Sequence, residues 1–173
     1  MKRNIYMSLI PDLMLNSFDE LTVSFLKEKG IRALVLDVDN TLIPYEETEP
    51  RPAVLAWLRE LKEAEISVAF VSNNHWARLN TFNASLGYPA YAHSCKPSRR
   101  NMKKALAAKN ADPAHTANMG DQIFTDVWAG RRMKLYTVLV PPIKDKRDLF
   151  TRFKRLMERP YKKAYYKKKE KQK

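Results

Sequence analysis

The chain has 173 residues, 45% of them hydrophobic and 29% charged, a globular composition and a length that fits one domain with an ordinary buried core. A single cysteine, Cys95, excludes an intrachain disulfide and fits a reducing cytoplasm. The net charge of +13 is uneven: Lys144 to Lys173 holds 14 basic and 4 acidic residues, so +10 lies there and only +3 before it.

The N-terminal stretch MKRNIYMSLIPDLML has a basic start and a short apolar run broken by Pro11 and Asp12, with no small-residue cleavage pattern. It does not have the form of a signal peptide, and no run approaches the roughly 20 apolar residues that span a bilayer. Ser17-Phe18-Asp19-Glu20 has the form of a capping box and predicts a helix ending at Gly30. Ala33 to Asp37 then predicts a strand. Pro52 sits in the first turn of a helix with Val54, Leu55, Leu58 and Leu61 on one face, and Trp57 falls on that apolar stripe. Ile66 to Val71 is a second strand, followed by a helix from about His75 to Leu86. A short third strand is expected at Tyr91-Ala92, and a helix capped by Ser98 runs to about Asn110. His115 to Met119 is a fourth strand and Leu135 to Val140 a fifth, with a short helix to Gly130 between them. Strands alternating with helices of about ten residues predict an α/β fold: a central, mostly parallel five-stranded sheet with right-handed crossovers. The domain is expected to cover residues 1–143. Residues 144–173 should add a basic helix, Arg147 to Glu158, and then a Lys/Tyr-rich tail without regular structure.

The run Arg32 to Thr41, RALVLDVDNT, carries the most chemistry. Residues two apart in a strand point the same way, about 6–7 Å apart. Asp37 and Asp39 would therefore stand side by side at the C-terminal end of a buried strand, where open α/β sheets hold ligands. Like charges that close call for a cation or a shared proton. An Asp-Asn turn closing a strand is the plainer alternative for this pair alone.

Each later strand also ends in polar residues: Ser72-Asn73, then Lys96-Pro97, then Gly120-Asp121 with Asp126 five residues on. Parallel strands bring all four endings to one sheet edge. The set offers a carboxylate nucleophile, a second acid, a hydroxyl, an ammonium and two further carboxylates, which suits phosphoryl transfer around Mg²⁺. Taken singly, Ser72, Asn73, Asp121 and Asp126 are also ordinary helix-capping residues, and Lys96 an ordinary loop lysine. His75, His93 and His115 have no metal-binding spacing, and structural or surface roles are expected for them. Packing is expected for Trp76 and Trp128, and solvation for Arg131 and Arg132. A receiver domain would order its acids differently, and no glycine-rich nucleotide loop occurs.

With DVDNT, SNN, KP and GDQIFTD in this order, the chain resembles the haloacid dehalogenase superfamily of aspartate-nucleophile phosphatases over about Ala33 to Val140. With PDLMLNSFDEL before the first strand, it resembles in particular the capless subclass IIIA and its YqeG-type phosphatases, relatives of the mitochondrial phosphatidylglycerophosphate phosphatases. The resemblance implies a three-layer α/β/α Rossmann-like fold and an aspartyl-phosphate intermediate on Asp37. Asp39 is implied as the acid and base. Mg²⁺ would be held by Asp37, the Asp39 carbonyl and Asp121. Ser72, Asn73, Lys96 and Thr41 are implied at the phosphoryl group, Thr41 through the turn that positions Asp39, and Asp126 behind Lys96 or a metal-bound water.

The intervals Thr41 to Ser72 and Asn74 to Lys96 are too short for a cap domain, so the site should be open and suited to a large or surface-anchored substrate. Two readings follow. One is a phosphatase of phosphatidylglycerophosphate on the cytoplasmic membrane face, held to anionic lipid by the basic tail, with Ile5, Leu9, Ile10, Leu13 and Met14 either a shallow anchor or buried in the core. The other is an RNA- or ribosome-associated protein whose Tyr161, Tyr165 and Tyr166 stack on bases. Family resemblance favours the first; composition alone does not separate them, and oligomeric state is not encoded legibly.

Overall fold

The computed structural model describes residues 9–144 and the backbone of 149–171, with side chains from 153 onward. Four buried apolar residues, Ala33–Leu36, form the central strand β2. Around it the sheet has six strands rather than five, and every pairing is parallel. Besides β2 these are β1 (Leu13–Met14), β3 (Ser67–Val71), β4 (Ala90–Tyr91), β5 (Thr116–Gly120) and β6 (Tyr136–Leu139), in the spatial order β1-β6-β5-β2-β3-β4. The uncounted strand is β1, two residues long, whose Leu13 and Met14 register with Val138 and Leu139 at the sheet edge. A two-residue strand has no periodicity to reveal it; its partner strand defines it.

Side-chain alternation along the strands builds two cores. Leu34, Leu36, Val68, Phe70, Ala117 and Met119 face one side, packed with Leu26 of α1 (Val23–Glu28), Trp57, Leu58 and Leu61 of α2 (Pro52–Glu63), and Leu79 and Phe82 of α3 (Trp76–Asn83). Val35, Ala69 and Val71 face the other, against Met102, Ala105 and Leu106 of α4 (Arg100–Ala108) and Ala129 of α5 (Trp128–Arg132). This is the expected three-layer α/β/α arrangement. Each fully buried Leu or Phe contributes about 1.5–3 kcal/mol to it. Trp57 is buried as predicted and donates its indole N–H to the Leu21 carbonyl at 3.0 Å.

The expected capping box does not form. Glu20 turns back to the Asn16 amide N–H at 2.9 Å, Phe18–Glu20 is a single 3₁₀ turn, and the helix opens only at Val23, capped by the Thr22 hydroxyl. Of the apolar N-terminal residues, Leu9 and Ile10 are buried, Leu13 and Met14 lie in β1, and Ile5 falls outside the described residues. His75 caps α3, and His115 Nδ1 meets the Gly30 carbonyl at 2.8 Å.

The C-terminal helix departs furthest from expectation. It runs over Leu149–Glu170 (α6), through the stretch assigned to an irregular tail; its predicted first residues, Arg147 and Asp148, lie outside the described residues. It packs on the domain: Glu158 and Tyr165 are buried, and the Tyr161 ring meets Phe124 edge-on at 5.7 Å. Among the described residues no helix is long and apolar enough to cross a membrane.

Candidate active site

From β2 the chain proceeds outward to β3 and β4, then returns to lay β5 and β6 on the other side of β2. Strand order therefore reverses between β2 and β5, the position where open α/β sheets leave a crevice at their strand C-termini. Asp37 and Asp121 occupy those two adjacent ends. The Asp37 N–H still donates to Met119 across the ladder, at 2.9 Å, so its side chain leaves the sheet at a fixed point. Val38 then anchors a tight turn, accepting from the Thr41, Leu42 and Ile43 N–H groups, with Asn40 at φ 61°. Asn tolerates that left-handed conformation better than most residues.

Asp37, Asp39, Ser72, Asn73, Lys96, Asp121 and Asp126 all line one polar cleft of about 420 Å³ at this edge. At its base Lys96 Nζ donates to Asp37 Oδ1 and to Asp126 Oδ1, both at 2.6 Å. All three side chains are nearly inaccessible to water. Thr41 does not line the cleft; it lies below, its hydroxyl donating to Asp37 Oδ2 at 3.1 Å. The other Asp37 oxygen is thereby fixed too.

Asp126 is delivered by a π-helical turn, Ile123–Val127, that follows β5. Such turns recur at functional sites because they re-aim one side chain. The turn folds Asp126 back over Gly120, where a Cβ would lie 2.2 Å from Asp126 Cγ, so only glycine fits. Asp126 Oδ2 accepts from the Gln122 N–H and the Thr125 hydroxyl.

Asp39 belongs to a second cluster. Its Oδ2 accepts from the Ser72 hydroxyl at 3.1 Å and from Asn74 Nδ2 at 3.3 Å, while its Oδ1 is gripped by Arg78 Nε. Asn73 holds the lysine loop, its Oδ1 accepting from the Lys96 N–H at 2.6 Å. The carboxylates gathered within 4.8 Å of one another are Asp37, Asp121 and Asp126, without the Asp39 side chain.

This crowding has an electrostatic signature. Burial pushes the Asp37 carboxyl up to about 8; Lys96 opposes that, and Asp126 and Asp121 reinforce it. Burial also pushes Asp121 up to about 6, aided by Asp126 and countered by Arg155. Burial disfavours the Lys96 ammonium, but Asp126 and Asp37 outweigh it and its pKa rises. Lys96 therefore stays charged while Asp37 and Asp121 resist ionisation. Three acids face only Lys96 and Arg155 here, and the buried Asp121 Oδ1 has no hydrogen-bond partner among the described residues, so the site is short of positive charge. Hard oxygen donors so arranged fit a divalent cation such as Mg²⁺.

Several residues enter without a sequence signal of their own. Arg78 spans Asp39 and the Pro44 carbonyl and lies over the Tyr45 ring, 4.9 Å from its centroid. Arg155 and Lys154 of α6 form one wall of the cleft. Arg155 donates to Asp121 Oδ2 at 2.6 Å and to the Asp121 carbonyl at 2.7 Å. Glu158, almost wholly buried, accepts from the Ile123 N–H at 2.8 Å and from Arg155. Trp76, Trp128, Arg131 and Arg132 stay outside the cleft: both tryptophans are well exposed, Arg131 pairs with Asp12, and Arg132 bonds the Pro97 carbonyl.

Residues 5–143 match the family described as mitochondrial PGP phosphatase. The chain belongs to that family. A relative in Bacillus subtilis (strain 168), described as probable phosphatase YqeG, is 32% identical over 150 residues, 87% of each chain. This PGP phosphatase family member is thus a phosphatase, a phosphoric monoester hydrolase. Its fold is shared with the cobalt-bound deoxy-D-mannose-octulosonate 8-phosphate phosphatase of Haemophilus influenzae: TM-score 0.55, 16% identity, 74% of this chain and 77% of that one. It is shared likewise with an uncharacterized protein of Listeria monocytogenes serotype 4b: TM-score 0.54, 16% identity, 68% and 85% of the two chains. The family match ends at residue 143, so the α6 wall of the cleft lies beyond it.

Proposed function

We propose that the protein hydrolyses phosphomonoesters through an aspartyl-phosphate on Asp37, with Mg²⁺, and that its substrate is phosphatidylglycerophosphate presented at the cytoplasmic face of a membrane. One observation carries the mechanism: the Asp37 carboxylate stands at the end of β2 with Lys96 on one oxygen and Thr41 on the other, facing a polar cleft. A nucleophile held that way needs no reorganisation before attack.

Asp37 forms the new bond to phosphorus as the bond to the lipid alkoxide breaks. Asp39 supplies the proton to that alkoxide, then takes one from the water that hydrolyses the aspartyl-phosphate, releasing inorganic phosphate and restoring Asp37. To do so it exchanges its hold on Ser72 and Arg78 for the substrate. Ser72 and the Asn73 amide then bind phosphoryl oxygens. Lys96 offsets the charge that builds at phosphorus, and Asp126 keeps Lys96 aimed at it. Asp37, the Asp39 carbonyl and Asp121 would hold Mg²⁺, which when bound would supply positive charge to offset that of the phosphoryl oxygens. Asp126 completes the acid cluster around that position.

The choice of substrate rests on the family and on the open cleft. Between Thr41 and Ser72 the chain supplies only a loop, α2 and β3, and between Asn74 and Lys96 only α3 and β4, so nothing inserted there encloses the substrate. The test is phosphate release from phosphatidylglycerophosphate in mixed micelles with Mg²⁺, wild type against Asp37→Asn. Release abolished by the substitution supports both mechanism and substrate. Turnover of a small ester with none of the lipid retains the mechanism and removes the substrate.

A further inference from the structure

Helix α6 has two dissimilar faces. The inner one is spent on the domain: Glu158, Tyr161 and Tyr165 pack inward, and Arg155 reaches Asp121. On the opposite side Phe153, Leu156, Met157 and Pro160 follow the i, i+3, i+4, i+7 spacing that makes one helical stripe. Pro160 is exposed, and the three larger residues are 59%, 53% and 48% exposed. Single apolar residues on a surface are ordinary; a contiguous stripe of large ones beside a cleft marks an interaction surface.

The flanks of the stripe decide what it meets. Arg159 and Lys163 border one side, Lys154 and Lys168 the other, while Glu158 is turned inward. Between Arg152 and Lys169 that buried glutamate is the one acid. A second copy of this chain would bring a like-charged helix against this one. A nucleic-acid backbone would use the bases but has no need of Leu156 and Met157. An apolar stripe between basic flanks fits the boundary between anionic head groups and acyl chains.

We infer that the outer face of α6 docks in the plane of an anionic lipid bilayer, with Phe153, Leu156 and Met157 as the inserted residues. This deepens the lipid-phosphate reading and rests on it for its purpose, since the helix that meets the lipid surface also walls the cleft through Lys154 and Arg155. Charge alone would hold the chain loosely; the stripe fixes which side of the molecule faces the lipid.

The experiment is flotation of the full chain with vesicles of phosphatidylcholine, alone or with an equal part of phosphatidylglycerol. Turnover of a soluble aryl phosphate is followed in parallel. Wild type should float with the anionic vesicles only. Leu156→Ser with Met157→Ser, and separately Arg159→Gln with Lys163→Gln, should each weaken partitioning by about tenfold, the scale expected for removing two partly inserted side chains. Turnover of the soluble ester should be unchanged, because neither pair touches the cleft. Phe153→Trp should gain a blue-shifted emission on adding anionic vesicles, above the constant background of Trp57, Trp76 and Trp128. Flotation indifferent to the Leu156/Met157 pair overturns the inference, as does Phe153→Trp emission that does not move while the protein floats. Binding to single-stranded RNA in place of vesicles also overturns it. A protein that turns over no ester yet loses flotation with the Leu156/Met157 pair supports docking while removing the phosphatase reading.

Discussion

Arg155 holds Asp121 at two points, the carboxylate Oδ2 at 2.6 Å and the backbone carbonyl at 2.7 Å. The other oxygen, Asp121 Oδ1, is left buried without a hydrogen-bond partner among the described residues, in the cluster with Asp37 and Asp126. Arg155 thus fixes the side chain with its other oxygen turned to the proposed cation position, and Glu158 fixes Arg155 in turn. Groups that orient a metal ligand typically matter by 10–100-fold in metal affinity. Arg155→Gln should weaken Mg²⁺ binding, read by titration calorimetry, by about that factor, and Arg155→Lys should recover only part because its ammonium lacks the planar two-pronged geometry of the guanidinium. Unchanged Mg²⁺ affinity in Arg155→Gln would remove this role.

Lys96 is the only cation bonded to both Asp37 and Asp126 among the described residues. Lys96→Ala leaves those buried acids facing each other, and removing one partner of a buried ion pair costs about 3–5 kcal/mol. Part of that loss should return with millimolar Mg²⁺, because the cation takes over the neutralising charge. Thermal melts with and without the metal test this. A metal-independent loss would mean that the lysine acts through packing alone. Turnover should fall severely in either case, since the cation at phosphorus is gone.

The parts legible in the sequence are those where an apolar run stops at a polar residue. Val35-Leu36 before Asp37 and Phe70-Val71 before Ser72 each announce a buried strand and the chemistry at its end, whereas β5 before Asp121 is interrupted by Asn118. Parallel order then suffices to bring those ends together. Arg78 and Arg155 were not legible, because a lone arginine on an amphipathic helix has the same pattern whether it points to solvent or to a carboxylate across the sheet edge. Glu158 was no more legible: an acid among bases on a helix is favoured by its neighbours, here Lys162 at 3.4 Å, whether it faces solvent or the domain. The capping box misled because Glu20 takes its donors from Asn16 instead of Ser17, and no local pattern reports that competition.

The raised acids fix a pH dependence with a definite sign. Asp37 titrates at about 8 and Asp121 at about 6 in the folded, metal-free chain, against about 4 when unfolded. The folded state therefore binds more protons through that window, and these two groups stabilise it at the acidic end and lose that contribution as pH rises toward about 8. Asp37→Asn removes the larger part. Its urea midpoint relative to wild type should accordingly climb from about pH 5 to about pH 8 without metal. Mg²⁺ should stabilise wild type more at the alkaline end, where it no longer competes with protons. A wild-type advantage that grows with pH would contradict the assignment.

Gly120 and Gly87 make a pair of opposite controls. A Cβ at Gly120 would sit 2.2 Å from Asp126 Cγ and 2.5 Å from its Cβ, so Gly120→Ala must displace the carboxylate that Lys96 binds. Overpacking of this kind costs about 1–3 kcal/mol. Here it also pulls Asp126 from Lys96, Gln122 and Thr125, so kcat should fall well beyond what the lost stability explains. Gly87, by contrast, has nothing within 4 Å of a Cβ but a φ of +67°. Gly87→Ala should cost about 1–2 kcal/mol through the left-handed backbone and leave kcat intact in the folded fraction. Both variants are read by a melt and by turnover at a temperature below both transitions. If Gly120→Ala kept wild-type kcat there, the contact between Gly120 and Asp126 would be packing without consequence for the lysine, and Asp126 would have to act elsewhere.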